Sequence, residues 1–582
     1  MNAGIYALIS LDGAALQPRD RAILGLSDTP SASGCCAADI AMQLVDNQLD
    51  AIRLTETPDF VCAFLGHLDE PALVADDLGL PRHLAHEALA TAAFQRYANQ
   101  TPHRLAGDWS LLYWNRTQRT LALVMSEFCR DQVYIATNGK QLAVSGEISR
   151  LARLHWVDAA FSPDGLALQM SRWRLRRHMS TQTPLRGVIS LCPGTTEYFG
   201  SVRRTCAAQA PAEVEPWRGG FEEAVESLNS VLNEILYRQL GRYQTVAALL
   251  SGGLDSAIIA CVASSACNGD QALRFLTSVA PEGSGLPDER AESLEVAQAL
   301  GRPISLICPS PDASVYTPSA RTFAHTERPL ASPRHYLYDA LHDAAVDLGV
   351  GALLDGASGE ITLTGTHSRT SWRRALLGAA QRLFRNSAED QWPQGAFHAR
   401  LSPALLASLD ANWHDRWNEA LHKHSVVRGK LEPRVRHGSS KISMSPTSSP
   451  ISELRHLEPF RNRRLFDLMA SMPAHFLRQG KLDRAPGRAL LKRYLPEDLC
   501  SRRVKRPISP DFNYRIVGQA SKARERIGDF REAGAGDWLD LAWLDQALQQ
   551  IGNHVSPPVN LAFEVQSTMI AAEYFIWWKF RL

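Results

Sequence analysis

Two rhythms of apolar positions divide the chain. Ser110 to Trp114, Thr120 to Met125, Val133 to Thr137 and Gln141 to Val144 are short apolar runs separated by turn residues, among them Asn138-Gly139. This pattern predicts antiparallel strands joined by tight turns, and a β-rich first region spanning residues 1–204. Residues 205–220, rich in Ala and Pro and without periodicity, read as a linker. Beyond it the rhythm changes. Phe221, Val225, Leu228, Leu232, Ile235 and Leu236 recur at helical spacing. Thr245 to Leu250 then reads as a strand, Ala257 to Ala263 as a helix and Arg274 to Val279 as a strand. Arg290 to Leu300 reads as a helix, Pro303 to Ile307 as a strand, Tyr336 to Leu348 as a helix and Gly351 to Leu354 as a strand. Such alternation predicts an α/β region, 221–582, with a parallel sheet flanked by helices. Ligands of such sheets gather at the carboxyl ends of the strands, where Ser251 and Asp355 both fall. From about Leu376 the pattern is helical and irregular. It includes a basic Ser/Pro-rich tract, Lys423 to Pro450, that reads as a solvated loop. The final helix, with Tyr574, Phe575, Trp577 and Trp578, reads as core packing.

Composition narrows the class without naming a function. A chain of 582 residues exceeds what one core organises, so at least two domains are expected. Lys plus Arg number 62 against 61 Asp plus Glu, which excludes a general electrostatic grip on nucleic acid or acidic membranes. Ten cysteines are scattered, with no CxxC pair, which argues against a zinc site or a disulfide framework and for the reducing cytoplasm. There is no basic stretch before the short apolar run Ile5 to Ile9, and no apolar run long enough to span a membrane.

One motif carries chemistry. Ser251-Gly252-Gly253-Leu254-Asp255-Ser256 lies between a buried strand and a helix. Its glycines let backbone N–H groups approach an anion, the helix start adds partial positive charge, and two serine hydroxyls add donors. This describes a pyrophosphate cradle, although no Walker GxxxxGK[ST] is present. Asp255 beside bound phosphates would be repulsive without a cation, which implies Mg²⁺.

With this loop the chain resembles the asparagine synthetase superfamily, the N-type ATP-pyrophosphatases that activate a carboxylate as an acyl-adenylate. Further likenesses follow in order: Pro287-Asp288-Glu289 before a helix, Glu327-Arg328-Pro329-Leu330, Leu353-Leu354-Asp355-Gly356-Ala357-Ser358-Gly359-Glu360, Glu458-Pro459-Phe460 with Arg463-Arg464-Leu465, and Leu495-Pro496 through Arg503-Val504-Lys505. The resemblance implies a glutaminase-like (Ntn-type) β-rich sandwich in the first region. It implies ATP and Mg²⁺ bound over Ser251 to Ser256, with Asp255 and Glu360 as metal carboxylates. Asp355 and Gly356 belong to the second acidic loop, Leu250 and Val279 would read adenine through backbone groups, and Lys505 would face the reacting centre beside a catalytic Glu360. Asp288 and Glu289 read as charges that favour a helix N-terminus.

The departures are equally informative. Relatives that use glutamine begin Met-Cys-Gly-Ile, with the cysteine as nucleophile, whereas this chain begins Met1-Asn2-Ala3-Gly4-Ile5. Alanine has no nucleophile, so glutamine hydrolysis there is excluded. The amine must then come from elsewhere, and two kinds of relative take it from the substrate: β-lactam synthetases and lasso peptide cyclases. The DGxSGE form of the second loop, together with the missing cysteine, looks most like the lasso cyclases. That resemblance implies a ribosomal precursor peptide, a leader peptidase and a leader-recognition protein as partners. A small-molecule amide ligase and a non-catalytic nucleotide-binding scaffold remain the competing readings. No residue cleanly matches the family's general base.

Overall fold

The computed structural model describes residues 4–581 apart from 28–33, 38, 46–52, 130–131, 172–180, 201–203, 208–213, 268–271, 331, 364–396, 410–412, 414–453, 481, 502–505 and 554–555. The tract 423–450, Ala3 and Lys505 therefore lie outside the described residues.

The first region forms two antiparallel sheets. One contains, in spatial order, β10 (Ile189–Ser190), β8 (Tyr134–Thr137), β9 (Gln141–Ser145), β1 (Gly4–Ser10), β3 (Ile40–Val45) and β2 (Gly34–Cys36). The other contains β12 (Arg204–Ala207), β11 (Thr195–Phe199), β7 (Thr120–Met125), β6 (Gly107–Asn115), β5 (Phe60–Leu68) and β4 (Arg53–Glu56). Successive side chains of a strand point to opposite faces, and β1 has apolar residues on both. Ile5, Ala7 and Ile9 join Val61, Ala63, Leu112 and Trp114 between the two sheets. Tyr6 and Leu8 point the other way, into a cluster shared with the second region. This is why the run from Ile5 to Ile9 is continuous rather than alternating. Residues 205–207, expected in the linker, instead pair with β11 as part of β12.

The second region opens with helix α1 (Phe221–Leu240), whose apolar stripe is the one read from the sequence. A sheet follows in the order β15 (Ile304–Ile307), β14 (Ala272–Ser278), β13 (Thr245–Leu249), β16 (Ala352–Leu354) and β17 (Arg455–Leu457), every pair parallel. Helices α2 (Leu254–Ala266), α3 (Arg290–Ala299) and α4 (His335–Asp347) connect its strands. Val246, Ala248 and Phe275 face a core built with α1 and α2. Ala247, Leu276 and Leu353 face the opposite core, with α4, the last helix α6 (Val559–Lys579; α5 is Arg463–Ser471) and Tyr6 and Leu8 of β1. Burying each such large side chain stabilises the fold by about 1.5–3 kcal/mol, so the shared core binds the two regions strongly. Tyr574, Phe575 and Trp578 of α6 are buried in it, as the aromatic pattern suggested.

The described cysteines are free thiols. Among the described residues no helix is long and apolar enough to cross a membrane.

Candidate functional site

The site forms where β13, β16 and β17 end side by side. After Leu249 the chain turns through Ser251-Gly252-Gly253 and enters α2 at Leu254. Ser256 Oγ organises that turn. It accepts from the Ser251 N–H at 3.0 Å, lies 2.9 Å from Ser251 Oγ, and is within donating distance of the Ser251 carbonyl (3.1 Å) and the Gly253 carbonyl (3.0 Å). Ser251 Oγ in turn accepts from the Gly253 N–H at 3.2 Å. Both hydroxyls that the sequence offered as anion donors are thus engaged in closing the loop itself. The donors best placed for an anion are the first-turn amides of α2, which have no partner within the helix. Asp255 occupies that first turn, where the helix dipole favours its negative charge.

The second loop starts at Asp355, whose N–H donates to the Leu457 carbonyl at 2.9 Å and whose Oδ1 accepts from the Ala357 N–H at 3.0 Å. Ser358 has φ 73°, and Gly359–Ile361 form one 3₁₀ turn carrying Glu360. Two glycines let this loop lie on the first. A Cβ on Gly356 would sit 2.9 Å from both the Asp255 carbonyl carbon and the Ser256 nitrogen. One on Gly359 would collide with the Asp255 carboxylate, 2.5 Å from its Cγ. Any side chain at either place would separate the loops.

The result is a crowd of carboxylates. Asp355 is pushed up to about 7, first by burial and then by the negative charge of Glu458, Glu360 and Asp255, against the pull of the Ala357 N–H. His456 of β17 is buried between two of these groups, with Nε2 3.7 Å from Asp355 Oδ2 and Nδ1 3.8 Å from Glu458 Oε1. Arg461 Nη1 donates to Glu458 Oε2 at 3.4 Å. Burial and Asp355 together raise the Tyr338 phenol. Such convergence of like charge fits a divalent cation. No group of three or more His, Cys, Asp or Glu among the described residues is arranged to hold a metal alone. That donor set suits Mg²⁺, which commonly takes one or two carboxylates, with water and substrate phosphates supplying the remaining ligands.

The structure therefore brings Ser251 to Ser256, Asp355, Gly356 and Glu360 together, and Lys505 falls outside the described residues. Leu250 and Val279 are buried at strand ends, but their N–H groups donate to the Leu276 and Ile307 carbonyls at 2.9 Å each. Their amides are thus used by the sheet rather than offered to a base. Asp288 ties the end of β14 to the start of α3, accepting from the Ala280 N–H at 2.9 Å and the Arg290 N–H at 3.0 Å. Glu289 is buried beside Gly252 instead of merely charging a helix end. Sequence reasoning missed His456. The only signal near it was the Glu458-Pro459-Phe460 segment, and nothing in the sequence marks a strand at 455–457.

Residues 227–570, more than half of the chain, match the family described as asparagine synthase. No curated protein matches the chain. Among solved structures, glutamine phosphoribosylpyrophosphate amidotransferase from B. subtilis, complexed with ADP and GMP, is 9% identical over 64% of this chain and 88% of its own, with a TM-score of 0.23. Glutamine-dependent NAD+ synthetase from Acinetobacter baumannii, in complex with ADP, is 15% identical over 28% and 31%, with a TM-score of 0.18. The U34-tRNA thiolase NcsA from Methanococcus maripaludis, with its [4Fe-4S] cluster, is 11% identical over 58% and 81%, with a TM-score of 0.21. Scores this low carry no argument, and the fold rests on the sheets described above.

Proposed function

We infer that this chain, which belongs to the asparagine synthase family and so carries the domain of an ATP-dependent amide-forming ligase, takes its acceptor amine from the substrate itself. The finer reading is a lasso peptide cyclase. The observation that carries the ATP half is the close approach of the two loops, with Gly356 and Gly359 seated on Asp255 and Ser256. The observation that carries the amine half is Ala3, where glutamine-using relatives have their thiol.

In this reading a side-chain carboxylate of a leader-free peptide attacks the α-phosphorus of ATP, and pyrophosphate leaves. The peptide's N-terminal amine then attacks the acyl carbon, AMP departs, and the proton of the new amide nitrogen passes to solvent. Asp255 and Glu360 would hold Mg²⁺, which offsets charge between the carboxylates and the phosphates. The first-turn amides of α2 bind the pyrophosphate portion, and Lys505 stabilises negative charge developing at the reacting centre, a role worth about 3 kcal/mol in comparable sites. Holding amine and adenylate together contributes about 7–11 kcal/mol when the groups are well oriented. The partners proposed with this reading are the precursor peptide, its leader peptidase and a leader-recognition protein, in a reducing cytoplasm that suits the free thiols.

The test is mass spectrometry of a leader-free candidate peptide incubated with protein, ATP and Mg²⁺. Loss of one water, with AMP and pyrophosphate released, is the expected result. Pyrophosphate release with small amino acids but never with peptide would replace the cyclase by a small-molecule ligase. No release with any carboxylate would leave a nucleotide-binding scaffold.

A further inference from the structure

Forming an amide requires a group that takes the proton of the attacking nitrogen, and the sequence offers no clear match to the family's base. In the reading above Asp255 and Glu360 hold Mg²⁺ beside the phosphates. Asp355 is placed for the other half of the reaction. It follows β16, which lies in the sheet between β13, leading into the SGGLDS loop, and β17, carrying His456. The second loop approaches the first through Gly356 and Gly359. The Asp355 side chain lies instead towards β17, with Oδ2 3.7 Å from His456 Nε2. After burial, the influence that raises this carboxyl most is Glu458, just beyond β17, ahead of Glu360 and Asp255.

The two carboxyl oxygens are used differently. Oδ1 accepts from the Ala357 N–H at 3.0 Å, and the Asp355 N–H is fixed to the Leu457 carbonyl at 2.9 Å. Both the side chain and its backbone are thus held in place. Oδ2 accepts no hydrogen bond among the described residues, since 3.7 Å from His456 is too long for one. The side chain is 20% exposed, which gives a proton taken there a way out to water. The charged and titratable groups that face it are Glu458 and His456 from the β17 side, Glu360 from its own loop, Asp255 from α2 and Tyr338 from α4.

We propose that Asp355 is the general base of amide formation: its Oδ2 takes the proton from the peptide's terminal nitrogen as that nitrogen attacks the adenylate. This rests on the reading of the chain as an ATP-dependent ligase whose amine is carried by the substrate. The nitrogen lone pair forms the new C–N bond, and the bond between the acyl carbon and the AMP oxygen breaks. AMP leaves with that electron pair. The surplus proton on nitrogen moves to Oδ2 and from there to solvent.

The experiment separates the two halves of the reaction in wild type, Asp355→Asn and Asp255→Ala. Adenylation is followed as peptide-dependent exchange of labelled pyrophosphate into ATP, and closure as loss of water by mass spectrometry, both with the leader-free peptide of the test above. Asp355→Asn should slow closure about 10²–10⁴-fold, the usual cost of losing a general base, while exchange stays within about threefold of wild type. Asp255→Ala should lose both. Thermal melting shows which variants are folded, and Asp355→Ser takes the place of Asp355→Asn if that variant is not. Exchange that falls as far as closure would make Asp355 a nucleotide or metal group and overturns the inference. So does closure by Asp355→Asn within about threefold of wild type. A wild type that exchanges no pyrophosphate with any carboxylate overturns the ligase reading, and this inference with it; wild-type closure with an unaffected Asp355→Asn overturns this inference alone.

Discussion

The two regions of the chain handle charge in opposite ways. In the first, acidic groups at the seam with the second region are met by cations or neutral donors. Glu127 is held below its usual range, despite its burial, by His103 and Arg463, and Arg463 Nη1 reaches it at 3.1 Å. Asp69 accepts from Asn462 at 2.8 Å, and Ser149 donates to Glu327 from its hydroxyl at 2.5 Å and its N–H at 3.1 Å. In the second region, at the ends of β13, β16 and β17, burial first and then the crowding of Glu458, Glu360 and Asp255 hold the Asp355 carboxyl up. Neutralised charge holds two surfaces together. Crowded charge of one sign stores repulsion that a bound cation would relieve. The contrast teaches that the first region is fastened to the second by matched groups, while like charge gathers at the strand ends of the second.

The contrast can be broken most severely at the loops. Gly359→Val should drive the loop off Asp255, and Asp255→Ala should remove the carboxylate itself. Each is expected to cut ATP-dependent pyrophosphate release by on the order of a hundredfold or more, as losing one preorganised electrostatic group does elsewhere, with circular dichroism unchanged. Near wild-type release from either variant would detach that position from the site.

The seam should respond in stability rather than in chemistry. Arg463→Ala leaves Glu127 buried without one of its cations, at a cost of about 3 kcal/mol, read as a lower urea midpoint. A midpoint unchanged from wild type would show that the pair does not hold the regions together.

A smaller effect depends on pH. Burial lifts the Glu327 carboxyl to about 7 from an ordinary 4.5, and its two bonds from Ser149 oppose that rise. Between those values the folded protein binds more protons than the unfolded chain, so this group's contribution to stability falls as pH rises through the window and is constant above it. His335, lowered to about 4 by burial, acts in the opposite sense, its stability contribution being lost as pH falls from 6.5 towards 4. Urea unfolding of wild type and Glu327→Gln at matched pH separates the two. The difference should move in favour of the variant by on the order of 2 kcal/mol between pH 4.5 and 7. A difference that does not change with pH would show that Glu327 is not held protonated.

The smallest expected effect is none. Ala3→Cys should release no glutamate from glutamine, because Asn2 still precedes the new thiol. Glutamate in that assay would mean the first region has kept more of a catalytic site than its sequence suggests.

Much of this was legible in the sequence wherever the evidence was local. The strands at Thr120–Met125 and Thr245–Leu249 are uninterrupted apolar runs, α1 announces itself by spacing, and the SGGLDS loop is six consecutive residues. What was not legible is proximity created by topology. β17 is only Arg455–Leu457, with no run to mark it, yet its pairing with β16 places His456 beside Asp355. Arg506 and Glu292 are 214 residues apart in the chain, and no local pattern marks their ion pair. The serine hydroxyls show a subtler gap. Their presence suggested direct contact with an anion, but Ser256 Oγ sits within bonding distance of the Ser251 and Gly253 backbones, so the turn uses them first.

Tyr6 and Leu8 share one apolar cluster with Ala247, Leu276 and Tyr574, which belong to the second region. The halves are consequently not interchangeable cassettes: a gene encoding either alone would yield a polypeptide with a greasy scar where its sibling belongs. Removing the first half would therefore strip Ala247, Leu276 and Tyr574 of the wall they lean on and turn part of the second half's interior towards water.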